Sequence, residues 1–304
     1  MKIQNRAKIC LCISIVIMLV AVVMSLTGYG INYGIDFAGG LNLQYDMGST
    51  YDKADVEEAL KAQGIEEFVV SSVGSEGTAV QIRVPTLSDE DEVQNLQNGL
   101  ETTLLEKYPN MDTDNATASY VGPVAGATLV RNAIFSVLIA AVLMLIYIAF
   151  RFDLFSGIAA VAGLLHDVLI MISFMVILRN VIQMNSSFIA AMLTIVGYSI
   201  NNTIVIFDRI RENNKKPALA GQPRSEIVEL SVKESLGRTI NTTLTTLVTI
   251  VTLYILGVAS IREFSLPIII GILAGAYSAN LINGYVWAAL EDTRLARKSQ
   301  KKAA

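Results

Sequence analysis

The chain has 304 residues, 53% of them hydrophobic and 16% charged, a mean hydropathy of +0.51 and a formal net charge of −4. Soluble domains carry about 25% charged residues, so this composition excludes an ordinary soluble protein and indicates a membrane chain. Two cysteines, Cys10 and Cys12, are too few and too close together for a disulfide framework or a zinc site, and one histidine excludes a His-rich metal centre.

A membrane-crossing helix needs about 20 mostly apolar residues, because the hydrocarbon core is about 30 Å thick and a helix rises about 1.5 Å per residue. Runs free of Asp, Glu, Lys and Arg cover 9–35, 132–150, 154–166, 168–178, 180–207, 239–261 and 264–290. Asp167 alone separates the third from the fourth, and joining them across it predicts six spans. The first run follows Lys2, Arg6 and Lys8. It exceeds the roughly 7 to 15 apolar residues of a signal peptide and no small-x-small cleavage site follows it, so it reads as an uncleaved span. With the N-terminus placed inside, 16 of the 23 Lys and Arg fall on the cytoplasmic side. That asymmetry predicts cytoplasmic termini.

The expected organisation is a cytoplasmic N-terminus and first span (1–27), an extracytoplasmic domain (28–126), a bundle of five further spans (127–290) and a basic cytoplasmic tail (291–304). The stretch 28–126 carries four Lys or Arg and 17 Asp or Glu, a net −13 against +9 for the rest of the chain. Within it, Leu41–Asp46 alternates as a strand, and Lys53–Ala62 has helical spacing and stops at Gly64. Phe68–Val73 and Thr78–Val84 read as strands around the turn GSEG, with Pro85 closing the second. Asp89–Tyr108 is a long helix with an acidic first turn, and Ala116–Val121 a last strand. The order βαββαβ predicts an α+β ferredoxin-like fold. This stretch has no His, no Cys and no Gly-rich phosphate loop. It therefore reads as a binding or mechanical module, and the acidic run Asp89–Glu92 as a solvated helix start.

Polar side chains at membrane depth are costly and mark the functional candidates. His166 and Asp167 lie near the middle of the third span. Asp167 is either a partner in a helix–helix hydrogen bond or a proton-accepting or cation-binding carboxylate, whereas His166 alone reads as structural. In the fourth span Tyr198, Asn201 and Asn202 share one helical face, and Asp208, Arg209 and Arg211 follow as interfacial anchors. The amides cannot titrate but can coordinate a cation or hold water. In the fifth span Arg238, Asn241, Thr242, Thr245, Thr249 and Thr252 form one stripe, which either packs through hydroxyls or lines a hydrated path. Gly271, Gly275 and Ala279 in the sixth span show the small-residue spacing that lets helix backbones approach, and Asn280 and Asn283 are candidates for interhelical hydrogen bonds.

Five segments stand in one order along the chain: GIDFAGG (Gly34–Gly40), IYIAFRF (Ile146–Phe152), LLHDV (Leu164–Val168), GYSINNTIVIFDRIREN (Gly197–Asn213) and SLGRTINTTLTT (Ser235–Thr246). On these segments the chain resembles the SecF family, accessory subunits of the bacterial Sec preprotein translocase. The resemblance implies half of a helical bundle like that of the resistance-nodulation-division transporters, paired with SecD. It also implies work on preprotein clients beside the SecYEG channel, with a YidC-type insertase and a YajC-type subunit as further partners, in the lipid of the bacterial cytoplasmic membrane. The proton-motive force, or a sodium gradient, would drive it. No cofactor, enzymatic activity or nucleic-acid partner is expected. The residues carried over are Gly34, Asp36, Phe37, Gly39, Gly40, His166, Asp208 and Arg209 as family motif and Asn202 and Arg238 as ion pathway, to which Tyr198, Asn201 and Asp167 are added from their depth in the membrane. One departure stands out: Asn202 occupies a place where the family usually has Asp. Three readings follow: the SecD partner's own carboxylate suffices, which we take as the leading one; Asp167 takes over; or sodium is coupled through amide oxygens. Competing functions are half of a small-molecule or lipid exporter of the same superfamily, and a scaffold for SecD that couples nothing.

Overall fold

The computed structural model describes residues 3–73, 77–85 and 90–303. Residues 74–76 of the expected turn and Asp89 of the acidic run lie outside the described residues. Among the described residues, six helical stretches are long and apolar enough to cross a membrane: Ala7–Leu26, Ala125–Arg151, Leu154–Ile177, Ser186–Asn214, Arg224–Leu256 and Ile261–Ala296.

The first span belongs to helix α1 (Ile3–Leu26), and a single-turn helix α2 (Ile35–Ala38) leads into a small α+β unit. That unit runs β1 (Gly40–Asp46), α3 (Lys53–Ala62), β2 (Val69–Val73), β3 (Ala79–Val84), α4 (Glu90–Lys107) and β4 (Asp112–Val121). The sheet order is β2-β3-β1-β4 with every pair antiparallel, the ferredoxin-like arrangement. In β1, Leu41, Leu43 and Tyr45 are fully buried while Asn42, Gln44 and Asp46 between them are not, the period-2 signature of a half-buried strand. Their inward face packs with Val80, Ile82 and Val84 of β3 and with Val56 and Leu60 of α3 and Leu100 and Leu104 of α4. Asp52 caps α3 by accepting from Ala54 N–H at 3.0 Å. Strand β4 begins four residues earlier than the alternation suggested, because the added residues, Asp112 to Asn115, are all polar and none is buried, which leaves no alternation to reveal them.

The membrane body follows as α5 (Pro123–Arg151), α6 (Leu154–Ile177), α7 (Ser186–Asn214), a 3-10 turn (Pro217–Leu219) and α8 (Arg224–Leu256). Next come α9 (Ala259–Ser278), a π-helical turn (Ala279–Asn283) and α10 (Gly284–Ala303), so helix continues through the segment expected as a tail. Asp153 caps α6 and Asn185 caps α7 through their side-chain oxygens. Helices α6, α7 and α9 form the centre, where Leu164, Met171, Phe188, Ile195 and Ile272 are buried together. Gly271 and Gly275 make that packing possible: a Cβ at Gly271 would stand 2.5 Å from Ile195 and one at Gly275 3.1 Å from Ser199. By contrast α1, α5 and the apolar half of α8 leave most of their large side chains exposed, the surface of a body immersed in lipid or joined to another subunit.

Candidate functional site

Asp167 is wholly buried at the middle of α6. Its Oδ2 accepts from Ser199 Oγ of α7 at 2.5 Å and from Ser278 Oγ of α9 at 2.9 Å, and its Oδ1 lies 2.9 Å from His166 Nδ1. The imidazole extends this chain outward. His166 Nε2 is 2.8 Å from Ser14 Oγ of α1 and 3.1 Å from Tyr277 Oη of α9, and those two hydroxyls are 2.7 Å apart. Tyr277 also meets the imidazole edge-on at 5.4 Å. One continuous network therefore joins four spans through a single carboxylate. Adjacent residues on a helix point about 100° apart, so His166 and Asp167 address different neighbours, α1 and α9 on one side, α7 and α9 on the other. With His166 Nδ1–H donating to Asp167, Nε2 is left to accept a hydroxyl proton, and the imidazole connects the two sides as a relay.

The polar atoms that complete this centre sit where backbone packing is closest. Ser199 and Gly275 touch across the α7–α9 contact, which puts Ser278, one turn further on, within reach of the same carboxylate oxygen. The π turn directly after Ser278 turns Asn280 and Asn283 inward. Asn280 Oδ1 accepts from Thr239 Oγ1 of α8 at 3.0 Å, and Asn283 Nδ2 donates to Thr203 Oγ1 of α7 at 2.8 Å. Such π turns commonly occur at functional positions.

The other expected pathway residues fall into two environments. Asn202 is buried with its amide N–H2 unpartnered, and Tyr198 likewise carries a buried hydroxyl without a partner. Asn201 is exposed, so the pair of amides faces two directions rather than one. Arg238 is exposed on α8, and its side chain makes no hydrogen bond or ion pair among the described residues. Asn241, Thr245, Thr249 and Thr252 are exposed on the same helix, and Thr242, Thr245, Thr249 and Thr252 each donate to the carbonyl four residues earlier. The threonine hydroxyls of the stripe are thus internally satisfied, and its exposed face is open to whatever lies beside this chain. His166, expected to be structural, joins Asp167 to Ser14 and Tyr277 by hydrogen bonds between helices. Ser14, Ser199, Tyr277 and Ser278 carried no signal beyond being hydroxyls in apolar helices.

The GIDFAGG segment forms a joint at the other end of the bundle. Asp36 Oδ2 accepts Ser186 N–H, the first amide of α7, at 2.7 Å, a favoured place for a carboxylate. Gly34 N–H donates to Met184 O and Met184 N–H to Asn32 O, so the motif runs alongside the entry to α7. The Phe37 carbonyl lies 2.8 Å from where a Cβ at Gly126 would be, which ties α2 to the start of α5. Gly39 (φ 78°) ends α2, and Gly40 (φ 115°) starts β1 so close to β3 that a Cβ would stand 2.3 Å from Val84 O. Asn185 Nδ2 donates to Glu263 Oε2 of α9 at 2.6 Å. Burial pushes the Arg83 guanidinium of β3 below its ordinary pKa, and the negative charge of Glu263 opposes that shift, so the sheet and α9 are electrostatic neighbours. At the far end, Asp208 pairs with Arg151 at 3.7 Å, and Arg209 with Glu212 and Glu234 at 2.7 Å each.

These features define a class: a six-span helical membrane protein with a ferredoxin-like unit between its first two spans and a buried carboxylate at mid-bundle. Residues 101–293 match the family described as "Protein export membrane protein SecD/SecF, C-terminal", and residues 25–49 match the "SecD/SecF GG Motif". A protein translocase subunit SecF from Rickettsia bellii is 35% identical over 280 residues, 92% of this chain and 90% of that protein. The SecDF subunit of Bacillus subtilis is 34% identical over 92% of this chain, which spans 37% of it. The crystal structure of SecDF, a translocon-associated membrane protein from Thermus thermophilus, superposes with a TM-score of 0.79 at 32% identity, covering 95% of this chain and 38% of that one. The chain belongs to the SecF family of protein translocase subunits. It is a multi-pass protein of the bacterial cell membrane that acts in Sec-associated protein translocation.

Proposed function

We propose that this chain pairs with a SecD-type partner and uses an ion gradient, the proton-motive force, to assist preproteins through the late stage of translocation. The observation that carries this reading is the Asp167 carboxylate, fully buried yet linked through His166 to Ser14 and Tyr277, so that one proton taken up there touches four helices at once. A buried ionisable group inside a bundle costs several kcal/mol when charged and unpaired, so changing its protonation shifts the packing of every helix that donates to it. The two relatives that carry SecD and SecF in one chain support the pairing, and the exposed Arg238 stripe supplies a polar face for it. The ferredoxin-like unit lies extracytoplasmically, with both termini inside. Through the Asp36–Ser186 and Asn185–Glu263 bonds it would follow movements of α7 and α9, and so grip and release the emerging chain. SecYEG, a YidC-type insertase and a YajC-type subunit complete the assembly.

The expected coupling ion is the proton. Asn202 cannot carry one, so the partner's own carboxylate and Asp167 are the titrating groups. The test is late-stage translocation into vesicles holding this chain and its partner, under a proton gradient alone and a sodium gradient alone, for the wild type and for Asn202→Asp. Wild-type translocation should stall when the proton gradient is collapsed and ignore sodium. Translocation that proceeds equally without either gradient would leave only a scaffolding role.

A further inference from the structure

We propose that the cavity between the start of α6, the end of α7 and α10 binds the phosphate headgroup of an anionic phospholipid. The cavity measures about 240 Å³ and is lined by Phe152, Ser156, Phe207, Arg211, Lys215 and Trp287, among others. That is smaller than the roughly 300–1,000 Å³ of drug-sized pockets and suits a phosphodiester. Three observations converge on an anion. First, the other arginines of this corner have side-chain partners: Arg151 with Asp208, Arg209 with Glu212 and Glu234, Arg294 with Glu291, and Arg224 with the amide oxygen of Asn214. Arg211 and Lys215, one helical turn apart on the cavity wall, have no carboxylate partner among the described residues, and the Arg211 Nη1 contact goes to the Arg151 carbonyl.

Second, Trp287 is 5% exposed and its indole N–H has no acceptor. Membrane tryptophans usually lie in the interfacial belt with that group in contact with headgroups and water. Here the ring is enclosed by protein and forms part of the cavity wall, so a headgroup seated there lies against it. Third, the N-terminus of α6, the helix end that favours anions, opens on the same space. Asp153, which also lines it, is already committed, since its oxygens accept from Ser156 N–H at 2.9 Å and Ser156 Oγ at 2.7 Å.

The surroundings select a lipid over free phosphate. Phe150 is 90% exposed and Leu154 57% exposed on either side of Phe152, so apolar surface for acyl chains runs up to the mouth. The cavity also lies where α5 and α7 end and α6 begins, at headgroup level, and basic pockets between spans at that level hold anionic headgroups. This inference is independent of ion coupling.

Trp287 is the one tryptophan in the sequence, so its emission reports on the site directly. The full-length chain in zwitterionic detergent would be titrated with phosphatidylglycerol, phosphatidylcholine and inorganic phosphate. A saturable emission change is expected with phosphatidylglycerol only. Arg211→Gln with Lys215→Gln should weaken its apparent affinity about tenfold or more. Lys233→Gln, at a lysine already paired with Glu229, should leave it unchanged. Helix content and melting by circular dichroism check folding, and Lys215→Gln alone, at an exposed helix end, carries the test with an effect of about threefold should the double variant not fold. An equal response to phosphatidylcholine, or wild-type affinity in the charge-removed variants, overturns the proposal. So does a full response to inorganic phosphate alone. Loss of partner co-purification in these variants, with no lipid response in the wild type, would assign the two cations to a protein contact and overturn it as well.

Discussion

Replacing Asp167 separates its structural work from its ionic work. In Asp167→Ala, Ser199 Oγ and His166 Nδ1 lose their acceptor inside the bundle, and Ser278 Oγ keeps only the Gly275 carbonyl at 3.3 Å. Side-chain hydrogen bonds between membrane helices are worth about 0.6 to 1.7 kcal/mol each, so three together cost about 2–5 kcal/mol. Asp167→Asn preserves shape and polarity: with its amide oxygen in the Oδ2 place both serine hydroxyls still donate to it, and the amide nitrogen donates to His166 Nδ1, whose proton moves to Nε2. The remaining loss is charge assistance, about 1–2 kcal/mol. Unfolding in detergent, followed by helix content, should rank wild type above Asp167→Asn and Asp167→Ala lowest. In gradient-driven translocation the ranking changes: both variants should fail, because neither carries a proton. An Asp167→Asn chain that folds and still translocates with wild-type dependence on the proton gradient would remove Asp167 from the ion pathway and leave the network a packing device. His166→Gln offers an intermediate case, retaining a hydrogen bond to Asp167 but breaking the relay towards Ser14.

Gly40→Ala places a methyl 2.3 Å from the Val84 carbonyl at a φ of 115°. Strain of that kind costs about 1–3 kcal/mol before any clash, so limited proteolysis should cut β1 of the full chain faster; unchanged resistance would mean that the β1–β3 edge relaxes freely. Asp36→Ala removes the acceptor for Ser186 N–H, a loss of about 1 kcal/mol, and hydrogen exchange at Ser186 should accelerate several-fold. Exchange at the wild-type rate would show that Asp36 does not hold the entry to α7. Asp55 in α3 accepts from Tyr108 Oη at 2.6 Å and Lys107 Nζ at 2.9 Å, and these bonds, Tyr108 first, hold its carboxyl below the usual range. A depressed folded-state pKa gives stability that is present above the unfolded value of about 3.9 and lost as pH falls through the folded one. Exchange protection of the sheet in wild type should therefore fall more steeply than in Asp55→Asn below about pH 4, and parallel curves would contradict the assignment.

The two periodicities made the architecture readable. Six apolar runs of sufficient length can satisfy their backbone groups in lipid only as helices, so the spans follow from composition alone. The alternation of Leu41, Leu43 and Tyr45, and the 3.6-residue spacing of Val56 and Leu60 or Leu100 and Leu104, assigned strands and helices because each element needs one buried face. The small residues Gly271 and Gly275 announced a close helix contact, though not its partner. Asp167 was visible because a carboxylate is rare at that depth.

What the sequence could not contain was distance between helices. Ser14, Ser199, Tyr277 and Ser278 lie up to 264 positions apart and look like isolated hydroxyls, unconnected with His166 and Asp167, until α9 meets α7 at Gly275 and α1 closes over His166. The joint at Asp36 is the same: its motif was legible, but its target, the first amide of α7, is 150 residues away. Local pattern determines which face of an element is apolar, since burial acts on each element separately. Which polar atoms then find one another is decided by how those faces pack, and a hydrogen bond tolerates only a few tenths of an ångström of error in that packing.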